Sequence, residues 1–104
     1  MFCSLFIASW LCFQQPPAIE PVEHIIGRMA VEYNVDVKTA LRIAECESET
    51  GKNLFNKHSS AKGIYQFVDG TWKDYCKGDV LNSRDNIICF MKLYPKHPSW
   101  WRCK

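Results

Sequence analysis

"PVEHIIGRMAVEY" sets Ile25, Ile26, Met29, Ala30 and Tyr33 on one stripe, a spacing that predicts a first amphipathic helix. "NVD" interrupts it, and Asp36 is placed to cap a second helix running from Val37 to about Ser48. The segment that follows, "ETGKNLFNKHSSAKG", is polar and irregular, with Gly51 as the expected helix stop. "IYQF" reads as the end of a strand or the start of a helix. Asp69 or Thr71 is expected to cap a short helix over "TWKDYC". "KGDVLN" reads as a turn, Ser83 as the cap of "RDNIICFMKLY", and Pro95 as the residue that closes that helix. No internal repeat or low-complexity tract is present. The pattern predicts one small, mainly helical unit.

Within the second helix, "ECESE" sets three glutamates at alternate positions. Stepped at about 100° per residue, Val37, Ala40, Leu41, Ile43 and Ala44 form an apolar arc. Lys38, Arg42, Glu45 and Glu49 gather opposite, where Glu45 and Glu49 read as solvated charges beside Arg42. Glu47 follows Ile43 by four and Ala44 by three, so it falls inside the apolar arc. A carboxyl group there faces the core or a cleft opening from it. Desolvation raises its pKa, which is what a general acid near neutral pH requires. A glutamate in a last helical turn can also swing out to water, so position alone does not establish chemistry.

Charge and composition narrow the setting. All charged side chains of the 104 residues lie from Glu20 onward. Phe2 to Phe13 is almost continuously apolar and "QQPPAIEP" follows as a polar exit. Residues 1–19 therefore read as a signal peptide or an N-terminal membrane anchor, though no Lys or Arg precedes the apolar run. The remaining domain, 20–104, is about 85 residues, a size at which a core is marginal and exported domains commonly add disulfides. Cys46, Cys76, Cys89 and Cys103 are the cysteines outside the leader, which itself holds Cys3 and Cys12. An even number behind an export signal implies two bridges, with the pairing left open. Zinc is the competing use, but no C-x-x-C pair exists and no histidine falls at ligand spacing. The net charge of +2, with scattered lysines, does not point to nucleic acid.

Around Glu47 the order of motifs resembles the lysozyme-like superfamily, in particular the soluble lytic transglycosylases. There a Glu-Ser pair ends a helix, as Glu47-Ser48 does here. A Gly-Ala-x-Gly-Leu-Met-Gln segment follows, matched by Ala61, Gly63, Ile64 and Gln66, with Tyr65 at the methionine place and Ser60 replacing the first glycine. "TW" stands at the next helix start, and Asn86-Ile87 matches the family's Asn-Ile helix. Phe90 replaces a common glycine there, Leu93 a common tyrosine, and Tyr94 stands one place off. The "CES" start and "WWRC" end are similar to the resuscitation-promoting-factor branch, in which a cysteine before the catalytic glutamate is tied to one near the C-terminus. The likeness spans roughly Val35 to Cys103.

The resemblance implies an α+β, mostly α, lysozyme-like domain with a glycan-binding cleft across Glu47, stapled by disulfides. It implies Glu47 as catalytic acid/base and Gln66 as a cleft residue able to offer both donor and acceptor to a saccharide. Tyr65 and Trp100 or Trp101 are candidate stacking faces for sugars, with core aromatic as the alternative for each. Ser48 and Ser60 are further substrate-binding candidates. Cys46 would join Cys103, leaving Cys76 to join Cys89 across a turn between helices. The substrate implied is the peptidoglycan glycan strand, cleaved between N-acetylmuramic acid and N-acetylglucosamine by a monomeric exported protein without metal or organic cofactor. A transglycosylase is the first reading, since Asp69, Asp74, Asp79 and Asp85 all lie outside the motif segments and a hydrolase usually needs a second carboxylate. A muramidase on the same bond and a catalytically silent glycan-binding domain are the alternatives.

Overall fold

The predicted first stripe forms helix α1, Val22–Glu32, with Ile25, Ile26, Met29 and Ala30 buried. Helix α2, Val37–Ser48, buries Ala40, Ile43 and Ala44, while Val37 and Leu41 pack at the core's edge. Asp36 caps it by accepting the Thr39 amide and hydroxyl at 2.9 and 2.8 Å. This computed structural model describes residues 19–103. The leader expected over 1–19 lies, but for Ile19, outside the described residues. Two further helices follow, α3 over Asp69–Tyr75 and α4 over Ser83–Leu93, then a 3-10 turn over Pro98–Trp100.

Helix α1 packs on both α2 and α4. Among the described residues, extended pairing is confined to isolated antiparallel bridges, Phe55 with Lys62 and Lys62 with Phe67. The result is a small, mostly helical domain.

Three helix ends depart from expectation. Gly51 is not the stop of α2: the helix ends at Ser48, and Glu49, Thr50 and Gly51 then all take positive φ. Ser83 does not cap α4. Asn82 does, accepting the Asp85 amide at 3.0 Å, one residue earlier than the sequence pattern indicated. Neither Asp69 nor Thr71 caps α3. Val68 holds that position without a side-chain bond, and Ser60, from the preceding loop, accepts the Asp69 amide at 3.0 Å.

Between α2 and α4 runs the segment 61–67, and Tyr65 is its anchor. Its ring lies flat on Phe90, centroids 3.6 Å apart, and its hydroxyl donates to the Ala40 carbonyl at 2.7 Å. Its own amide donates to Asn86 Oδ1, whose carboxamide nitrogen in turn donates to the Val80 carbonyl. Gly63 cannot be replaced here, since φ is +86° and an added Cβ would lie 2.2 Å from Asn86 Nδ2. The Gly and Asn of the two recognised motifs therefore meet for a steric reason.

Cys46 is bonded to Cys103 and Cys76 to Cys89, the pairing that the resemblance implied. The first bridge carries the tail back to α2, where Trp101 enters the core at 4% exposure and donates to the Tyr65 carbonyl at 2.9 Å. At the other end, Glu20 accepts from both Arg28 and Arg84 at 2.7 and 3.0 Å, tying the start of the domain to α1 and α4. Among the described residues, no helix is long and apolar enough to cross a membrane.

Candidate active site

The alternation in "ECESE" resolves as the helical wheel requires. Glu45 and Glu49 are exposed, whereas Glu47 is half-buried. Glu45 accepts the Thr50 hydroxyl at 2.6 Å, so its partner is Thr50 rather than Arg42. Burial pushes the Glu47 carboxyl above the usual carboxylate range, and no neighbouring charge contributes to that shift. An acid of this kind keeps its proton to higher pH than a freely solvated glutamate does.

Glu47 opens into a hollow of about 190 Å³ shared with Gln66 and with Asn53, Phe55, Asn56, Lys57 and His58 from the polar loop. Among the described residues no second carboxylate lines it. Asp69 is turned away in an ion pair with Lys62 at 2.9 Å, and Asp85 accepts the Asp79 amide at 3.0 Å. The loop residues were not singled out from the sequence. Their signal was available, since they lie between the Glu-Ser pair and the Ala-x-Gly segment, but polarity alone does not distinguish a lining loop from a solvated one.

Gln66 is in the hollow, though with a narrower role than expected. Its backbone takes φ +54°, a left-handed conformation that costs a non-glycine residue on the order of 1 kcal/mol. The Nε2 group donates to the Leu54 and Gly63 carbonyls at 3.0 and 2.9 Å. Both amide hydrogens are thus spent inside the protein, and only Oε1 remains to meet a ligand. Gln66 can accept from a hydroxyl or an acetamide N–H. It cannot also donate.

Two expected ligand contacts are corrected. Tyr65 is fully buried, which pushes its phenol pKa up, and its hydroxyl is bonded to backbone. Sugar cannot reach that ring. Ser48 is 1% exposed, donating to the Ile64 carbonyl at 2.8 Å and accepting the Gly51 amide at 3.0 Å. It ties the end of α2 to the 61–67 segment beneath the hollow. Ser60, although exposed, is engaged at the start of α3. Trp100 remains available at 43% exposure, whereas Trp101 is core.

Beside the Glu47 hollow, and sharing Gln66 with it, lies a larger one of about 440 Å³ between α3 and the C-terminal tail. Among the described residues no His, Cys, Asp and Glu side chains gather in a group that could hold a metal ion. No protein-family model, curated protein or solved structure matches the chain.

Proposed function

We propose that the protein is a lytic transglycosylase of peptidoglycan, with Glu47 as its single acid/base. One observation carries this reading: Glu47 is a half-buried carboxyl of raised pKa in a hollow that, among the described residues, no second carboxylate lines. Hydrolysis by the usual routes needs a second acid, either to activate water or to form a glycosyl ester. A muramidase is therefore the less economical reading. A single group suffices if the substrate supplies its own nucleophile.

The steps balance as follows. Protonated Glu47 gives its proton to the glycosidic oxygen as the bond from that oxygen to C1 of the muramic acid breaks. The resulting carboxylate takes the proton of the same sugar's 6-hydroxyl, whose oxygen bonds to C1. The product is a 1,6-anhydro end, and Glu47 is protonated again. The internal attack gains from the high effective molarity of a hydroxyl already held in place. Gln66 Oε1 suits an acetamide N–H or a hydroxyl of the strand, and Lys57 and His58 suit the carboxylates of a peptide-bearing wall polymer. The disulfides and the apolar leader favour work outside the cytoplasm.

Digestion of purified sacculi in ¹⁸O-labelled water tests the reading. Anhydro ends without label are expected. Label at the new muramic acid end would mean hydrolysis, and release of nothing would leave a glycan-binding domain. Glu47→Gln is expected to lower the rate at least about 100-fold, whereas Glu45→Gln and Glu49→Gln should each stay near the parent rate.

A further inference from the structure

We propose that the larger hollow is a second saccharide subsite, continuous with the first, in which Trp100 gives the stacking face and Arg102 the cation for a carboxylate-bearing substituent. The proposal rests on the glycan-directed reading above and deepens it. Size is the first argument. Ligand sites usually occupy about 300–1,000 Å³, and the Glu47 hollow, at about 190 Å³, falls short of that range. A sugar seated there must extend beyond it. The hollow that shares Gln66 has about 440 Å³, and its lining alternates apolar and polar groups: Trp100 and Val68 beside Thr71, Ser99 and Arg102.

Chemistry is the second. His97 stacks on the Trp100 indole with centroids 4.0 Å apart and planes 9° from parallel. One face is thus backed by protein while the side chain stays 43% exposed and lines the hollow. An indole backed on one face by His97, flanked by Tyr75 at 5.3 Å and still partly exposed, suits the apolar face of a pyranose. Arg102 is exposed and makes no ion pair among the described residues. Among the described residues it is the only charged side chain of this lining. Thr71 and Ser99 add hydroxyls of the kind that bond sugar hydroxyls.

Covalent structure is the third. The wall formed by 99–102 is held from within by the buried Trp101 and at its C-terminal side by the Cys46–Cys103 bridge, one residue from Glu47. The subsite is thus registered to the acid through a disulfide, and breaking that bridge should loosen it.

The test is amide chemical-shift mapping of the intact protein, carrying Glu47→Gln to prevent turnover, with chitotetraose and with chitobiose. Chitotetraose is expected to shift Thr71, Ser99 and Arg102 as well as Asn53 to His58, whereas chitobiose should spare at least one of the two sets. Trp100→Ala should weaken chitotetraose about tenfold, the size of one aromatic contact, with Trp100→Phe retaining most of the affinity. Arg102→Ala should weaken only oligosaccharides that carry peptide carboxylates. Shifts confined to Asn53–His58, or chitotetraose binding that Trp100→Ala leaves unchanged, would overturn the subsite. The mapping uses the native tail, so it decides the matter even if Trp100→Ala fails to fold. Cleavage of sacculi by the parent protein reads the other question. Cleavage without shifts at 71, 99 and 102 defeats the subsite alone, and those shifts without cleavage leave the subsite standing while the lytic reading falls.

Discussion

The helical half of the molecule and the half that carries the hollows are held together by different means. Helices α1, α2 and α4 meet through residues such as Ile26, Ile43, Ile87 and Phe90, each fully buried. Helix α3 has no buried residue at all. It is held instead by the Cys76–Cys89 bridge, by Trp72, whose ring meets Phe67 edge-on and whose Nε1 donates to the Gly78 carbonyl, and by Ser60 at its start. The 3-10 turn likewise buries nothing and depends on Cys103 and Trp101 beside it. A small domain has too little apolar surface to bury every element. Here the scarce core supports the helix that bears the acid, and covalent links hold the opposite wall.

The contrast can be broken most sharply in the helical half. Phe90→Ala is expected to cost about 4 kcal/mol, the cost of an aromatic cavity in a packed core. Lys73→Gln, at an exposed position of α3 in the other half, should stay within about 0.5 kcal/mol. Urea midpoints at unchanged slope would measure both. Equal losses would dissolve the distinction.

Removing the covalent support comes next. Cys76→Ser with Cys89→Ser opens a loop of sequence separation 13 and should cost about 3 kcal/mol in the chain-entropy account. Because α3 has no core of its own, hydrogen exchange should rise there before it rises in α1. Uniform acceleration across both halves would count against the division.

A third effect is smaller and local. Asn82→Ala removes the side-chain acceptor for the Asp85 amide and should cost about 1 kcal/mol. Ser83→Ala should be nearly silent, and calorimetry on the pair would separate the two assignments of the cap.

The smallest expected effect has a sign that depends on pH. The folded pKa of Glu47 is raised, so the native state disfavours its charge, and stability falls as pH rises from the unfolded value through the folded one. Glu47→Gln should therefore raise the melting temperature slightly at pH 7. At a pH low enough to protonate Glu47 in both states, the gain should vanish. A gain that is the same at both pH values would mean that burial does not penalise this carboxylate.

Much of the helical half was legible because its signals are local. The span of α2, the Asp36 cap and the separation of Glu47 from Glu45 and Glu49 all follow from a period of about 3.6 residues. The hollow side was less so. Tyr65 could have been a surface ring or a core ring, and what decides it is Ala40, Asn86 and Phe90, all at least 21 residues away. Gln66 lines a hollow with Glu47, but its left-handed backbone turns both amide hydrogens onto carbonyls, which no residue pattern announces. Ser60 and Asn82 changed roles because a cap can come from across a loop or from one residue earlier. Lys57 and His58 carry no motif, and only the fold brings them, and Arg102, to a lining.

The many attachments of Tyr65 also set an order of events in time. Its partners span Ala40, Asn86 and Trp101, contacts separated by 25, 21 and 36 residues. Distant contacts of this kind close late, since the chain between them must first give up its freedom. In refolding with the disulfides intact, far-ultraviolet circular dichroism of the helices should return before the near-ultraviolet signal of the packed Tyr65 and Trp101 rings does, and simultaneous recovery would contradict this order. A newly made chain would accordingly pass through a helical stage with the hollow still open, and would complete the wall beside Glu47 only when Tyr65 slides between α2 and α4.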